Sequence, residues 1–168
     1  YGLQPSAWRT ILSDAKQALL KQRAQRQRPA IDDKILLSWN ALMNIALTDA
    51  GIALASQEYL DHAVKHMEKL IDVFCRKDGG LMHVYKNGTA RIPGKLDDYA
   101  YLVKALCHLA AATGSEEYVL RAKALLQYCN EHFLHEDRNF YYFSSIQQDD
   151  ILVRKVELAF LNRSEVPK

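Results

Sequence analysis

Cysteine is scarce and poorly placed for cross-linking. Cys75, Cys107 and Cys129 are odd in number, widely spaced and set in apolar helical patterns, so there is no disulfide framework and no CxxC redox or zinc motif. They read as buried thiols in a reducing compartment. No uncharged apolar run approaches the roughly 18 residues of a membrane span, and no basic-then-apolar leader opens the chain. Charge of one sign is also missing. With 22 basic against 20 acidic side chains, the net charge of +2 over 168 residues favours neither nucleic acid nor an anionic membrane. The expectation is a cytoplasmic protein with no nucleic-acid or membrane partner. Nucleotide loops, the nucleophile elbow, HExxH and zinc spacings are absent, so no cofactor and no metal are expected. His62 and His66 lie one helical turn apart but imply no third ligand. The basic run Lys21, Arg23, Arg26 and Arg28 lacks interleaved aromatics and reads as a solvated helix end.

What is present is helical periodicity. Trp8, Ile11, Leu12, Ala15, Leu19 and Leu20 predict an amphipathic helix from Ser6, its N-cap, to about Gln27, ended by Pro29. A second helix is expected from about Asp33 to Ala55, and a third from about Gln57 to Arg76, stopped by Gly79 and Gly80. The period then shortens to two. Residues 81–94 alternate around Asn87-Gly88, the strongest short hairpin signal in the chain. Helices resume from about Asp97 to Thr113, closed by Gly114, and from about Ser115 to His135. "NFYYFSS" and "ILVRKVE" read as a second strand pair.

The two halves repeat each other. Asp32-Asp33 matches Asp97-Asp98 at a shift of 65, while Glu58-Tyr59, Ala63 and Phe74 match Glu117-Tyr118, Ala122 and Phe133 at a shift of 59. Each unit is helix, helix, hairpin, nearly twice the roughly 34 residues of a tetratricopeptide repeat. Such units bury their apolar faces only by stacking. The fold class this implies is mainly α: a partial α/α toroid of the six-hairpin glycosidase type, with short β hairpins. Residues 1–158 are expected to form one partial toroid domain, part of a longer chain, and 159–168 an irregular tail. A partner or a second copy would cover the open edge.

Adjacent acids at a helix start serve first as caps. Repetition also sets equivalent helix starts at one end of a toroid, where Asp33, Asp97 and Asp98 become candidate catalytic carboxylates for sugar chemistry. Asp33, Leu37, Asn40 and Asn44 follow a helical stripe with Trp39 beside it, which suggests a polar, ligand-facing surface. Lys34, Trp39, Asn40, Tyr99 and Tyr101 are the candidate substrate-binding residues, and a small carbohydrate is the expected partner. His83, in the first hairpin, reads as a core or solvent-facing strand histidine.

The stretches "RPAIDDKILLSWNALMNIAL" and "GKLDDYAYLVKALCHLAAATG", with the late strands, resemble the helical C-terminal part of the thioredoxin-domain-containing, spermatogenesis-associated protein family. The resemblance places that family's first motif on Arg28, Pro29, Asp32, Asp33, Lys34, Trp39 and Asn40, and its second on Leu96 through Tyr101. It implies a six-hairpin toroid similar to N-acylglucosamine 2-epimerases, and a thioredoxin-like domain of the same full-length protein as partner. Two departures stand out: this chain has no thioredoxin-like domain, and "LAFLNRSEVPK" replaces the family's usual continuation. The alternative function is a noncatalytic helical scaffold or protein-interaction module.

Overall fold

Alternating helical and strand periods translate directly into elements. The computed structural model describes residues 4–136 and 140–148. Within them the order is α1 (Pro5–Ala24), β1 (Ile35–Leu36), α2 (Leu37–Ala53), α3 (Gln57–Phe74), β2 (Met82–Lys86), β3 (Thr89–Pro93), α4 (Leu96–Thr113) and α5 (Glu116–His132). The chain divides into two units, Tyr1–Asp33 and Lys34–Lys168. The first holds α1, where Pro5 occupies the first turn, a position whose N–H has no intrahelical partner in any helix. Its N-cap is Gln4 rather than Ser6, and it buries none of its side chains.

In the second unit α2 packs on α3, α4 on α5, and α2 on α4. The apolar stripe of α3 is Ala63, Met67, Leu70 and Phe74; that of α5 is Ala122, Leu125 and Cys129, continued by Phe133. These stripes close over Leu37, Leu102, Leu106 and Leu109, each at most 1% exposed, and each such side chain contributes about 1.5–3 kcal/mol. Gly51 sets the closeness of the α2–α3 crossing, because a Cβ there would lie 2.7 Å from the Leu60 side chain. Asn87 and Gly88, at φ 51° and 76°, form the two positive-φ corners that a primed hairpin turn requires. The resulting sheet runs β1-β2-β3, antiparallel throughout, with Leu36 opposite Val84 and Val84 opposite Arg91.

Three expectations are corrected. The second helix begins at Leu37, not Asp33, because Ile35 and Leu36 are drawn out to pair with the free edge of β2. The structural repeat therefore differs from the acid match. Buried positions of α2 and α4 correspond 61 residues apart (Leu37 with Asp98, Ala41 with Leu102, Ile45 with Leu106), and those of α3 and α5 correspond 59 apart. Asp32 and Asp33 precede β1 and are not the counterparts of Asp97 and Asp98. Cys75 and Cys107 are exposed, and only Cys129 is buried, its thiol pushed up to about 12 by desolvation. The expected pairing of residues 139–145 with 151–157 is not tested, because residues 151–157 lie outside the described residues; Tyr141 forms an isolated bridge with Leu134.

Candidate functional site

Both inner helices begin at one carboxylate. Asp98, in the first turn of α4, is 0% exposed. Its Oδ1 accepts the Ser38 N–H of the first turn of α2 at 3.0 Å, and its Oδ2 accepts the Lys95 N–H at 2.9 Å. Two unpaired helix N-termini thus converge on a single anion-accepting position, and the two helices run parallel from it. The third partner comes from β2: His83 Nδ1 lies 2.7 Å from Oδ2. Burial pushes the Asp98 carboxyl above its ordinary value. The Lys95 amide and His83 pull it back, and Asp97 adds a smaller upward push.

The side chain of His83 is 24% exposed. With Nδ1 donating to Asp98, the tautomer is fixed and Nε2 becomes the ring nitrogen available for proton transfer, the usual use of a carboxylate–imidazole pair. A neighbouring residue anchors the chain that leads into His83. The buried Tyr99 hydroxyl accepts the Leu81 N–H at 2.8 Å, two residues before His83, and its ring stacks on Tyr128 at 5.4 Å. Across the hairpin register from His83 is Ile92, a β-branched residue at φ 64°. That conformation costs about 1–3 kcal/mol and persists only where surrounding structure imposes it.

Of the residues proposed from sequence, Trp39, Asn40, Asp97, Asp98, Tyr99 and Tyr101 all lie in the first two turns of α2 or α4. Trp39 is 71% exposed, one residue beyond the Ser38 N–H that Asp98 holds. Asn40 is half-buried and donates back to the Leu36 carbonyl at 2.8 Å; Tyr101 is half-buried on α4. Asp97 is half-buried and accepts the Asp98 N–H at 3.1 Å. Asp98 and Tyr99 are buried, which leaves neither side chain exposed to a ligand. Asp33 and Lys34 are exposed and precede β1. The expected polar stripe through Asn44 does not form a ligand surface, because Asn44 turns into the core and donates to the Ala63 carbonyl of α3 at 2.7 Å.

His83, read from sequence as a core or solvent-facing strand histidine, lies on β2 with its ring against Asp98. Its only sequence signal is alternation within a strand of 5 residues, which gives no hint of a carboxylate fifteen residues away in sequence. A groove of about 400 Å³ between α3 and α5, floored by Leu102 and Leu106 and edged by Tyr128, does not include Asp97, Asp98 or His83. Among the described residues, no group of three or more His, Cys, Asp or Glu side chains is placed to hold a metal ion, and no helix is long and apolar enough to cross a membrane.

Comparison with solved structures gives the fold its class. A GH76 alpha-mannanase from Bacteroides thetaiotaomicron superposes with a TM-score of 0.62 at 13% identity, covering 70% of this chain and 33% of that one. A cellobiose 2-epimerase from Bacillus thermoamylovorans superposes at 0.60 and 17% identity, covering 68% and 33%. The chain therefore has the fold of part of an α/α toroid, with α2–α3 and α4–α5 as consecutive helix pairs. No protein-family profile matches it. Its sequence relatives are larger proteins. It is 33% identical over 154 residues to an uncharacterized protein of Caenorhabditis elegans, and 29% identical over 122 residues to human spermatogenesis-associated protein 20. These matches cover 87% and 67% of this chain but only 21% and 16% of those proteins. The chain is a partial-length relative of spermatogenesis-associated protein 20.

Proposed function

We propose that the N-terminal ends of α2 and α4 handle a carbohydrate by proton transfer, as in epimerisation or isomerisation. His83 is the proton carrier, Asp98 orients it, and Trp39 and Tyr101 offer ring surfaces to a sugar face. The observation that carries this reading is the 2.7 Å contact between a fully buried carboxylate and a partly exposed imidazole, with the 71%-exposed Trp39 one residue from the same cluster. The names of the structural neighbours, a mannanase and a cellobiose epimerase, support the substrate class. Glycoside cleavage fits less well. It needs two accessible carboxylates flanking the bond, whereas Asp98 is buried and Asp97 is engaged with the Asp98 amide.

The test uses the polypeptide in its full natural length, because the chain spans about a fifth of its relatives. Cellobiose, mannobiose and N-acetylglucosamine are titrated while the His83 ring resonances and Trp39 fluorescence are followed. A saturable response that His83→Gln abolishes is expected; silence towards every sugar would discard the reading.

One observation favours a second reading. Asp98 accepts backbone N–H groups from both inner helices, which is all that a structural cap requires. On that reading the unit is a noncatalytic scaffold that holds a thioredoxin-like domain of the same protein. Asp98→Asn lowering thermal stability while leaving sugar response unchanged would select it.

A further inference from the structure

Helix α1 carries an apolar face that nothing among the described residues buries. Trp8, Ile11, Leu12, Ala15 and Leu19 recur at three- and four-residue steps, so they share one side of the helix. They remain exposed, Trp8 at 40%, Leu12 at 63% and Leu19 at 71%. Beside them, Arg9, Lys16 and Arg23 recur every seven residues, and all three are exposed. Seven residues fall only about 20° short of two full turns, so these cations form a nearly straight line along one edge of the apolar face. Asp14, the one acid of α1, lies nearly opposite that line.

This arrangement has the grammar of a coiled-coil seam. With Leu12 and Leu19 at a, Trp8 and Ala15 fall at d, and Arg9, Lys16 and Arg23 fall at e, where interhelical ion pairs choose the partner. The charge is local. Residues 1–28 carry six basic side chains (Arg9, Lys16, Lys21, Arg23, Arg26, Arg28) against Asp14, a net +5, so the remaining residues sum to 2 − 5 = −3. An anionic membrane fits less well, because small Ala15 and Ala18 and polar Gln22 narrow the apolar face to a seam. Nucleic acid fits less well because the cations flank an apolar stripe rather than interleave with aromatics.

We propose that α1 docks an acidic amphipathic helix of a partner protein, packed alongside it in heptad register. That helix sets its carboxylates at seven-residue spacing opposite Arg9, Lys16 and Arg23. The proposal is independent of the sugar reading, since that reading rests on residues of α2, β2 and α4 alone.

The experiment titrates the whole chain with two synthetic helices that share one leucine heptad core, one with Glu and the other with Lys at the positions facing the seam. The Glu peptide is expected to bind at least about tenfold tighter than the Lys peptide, with the preference shrinking as salt is raised. The triple variant Arg9→Glu, Lys16→Glu, Arg23→Glu should invert the preference. Its thermal transition should match the parent, since those side chains are exposed. Equal binding of both peptides, no binding of the Glu peptide, or an unchanged preference in the triple variant would each overturn the proposal. So would capture by phosphatidylserine–phosphatidylcholine vesicles or by duplex DNA without a peptide preference.

Discussion

The two helix pairs of the second unit share one burial pattern and fill it with opposite polarity. At positions 61 apart, α2 places Leu37, Asn44 and Thr48 where α4 places Asp98, Ala105 and Leu109. In the first pair two buried polar side chains sit mid-helix: Thr48 donates to the Asn44 carbonyl at 2.9 Å, and Asn44 donates to the Ala63 carbonyl of α3 at 2.7 Å. Asn44 Oδ1 is buried without a partner. In the second pair the polar group sits at the helix start and collects donors from α2, β2 and the residue before α4. One backbone plan thus tolerates polarity at either height. Asp98 joins three elements, α4, α2 and β2, where Asn44 joins only α2 to α3, and that sets the candidate site at the start of the second pair.

Making the second pair like the first should have the largest effect. Asp98→Leu copies Leu37 but strands the Ser38 and Lys95 N–H groups and the His83 ring. A loss of about 3–5 kcal/mol in urea unfolding is expected, as for removing one partner of a buried charged network. The reciprocal change, Asn44→Leu, removes an amide whose oxygen is already unsatisfied, and should move stability by less than about 1 kcal/mol in either direction. If the two substitutions cost the same, the contrast between a local and a cross-linking polar group is wrong.

Much of this fold was legible because its signals are local. The stripes of α3 and α5, the Asn87-Gly88 turn and Gly114 at the end of α4 each depend on residues a few positions apart. The misreadings came from partners distant in sequence. Ile35 and Leu36 carry no helix-breaking residue, and only the edge of β2, some fifty residues on, makes them a strand. Asp32-Asp33 and Asp97-Asp98 look alike as strings, yet the first pair precedes β1 and the second starts α4. The acid at position 98 was visible as a candidate. Its burial, and its contact with His83, depend on the Ser38 and His83 partners, sixty and fifteen residues away.

The smallest effect is expected from pH. Each pair buries a titratable group, and burial favours the neutral form of both: His66, beside Asn44 in the first pair, is lowered from its ordinary 6.5, and Asp98 in the second is raised from 3.8. The signs then oppose. A histidine with a depressed folded pKa contributes fully above 6.5 and loses its contribution as pH falls towards the folded value. An aspartate with a raised folded pKa contributes below 3.8 and loses its contribution as pH rises through the folded value. Urea midpoints from about pH 4 to about pH 8, compared between the parent chain and His66→Gln, should therefore differ in slope just below 6.5. The parent should gain stability with rising pH there, and the variant should be flatter. Parallel curves would mean that His66 is as free to take a proton when folded as when unfolded, and that the 3.4 Å approach of the Asn44 amide to its Nδ1 does not hold the ring neutral.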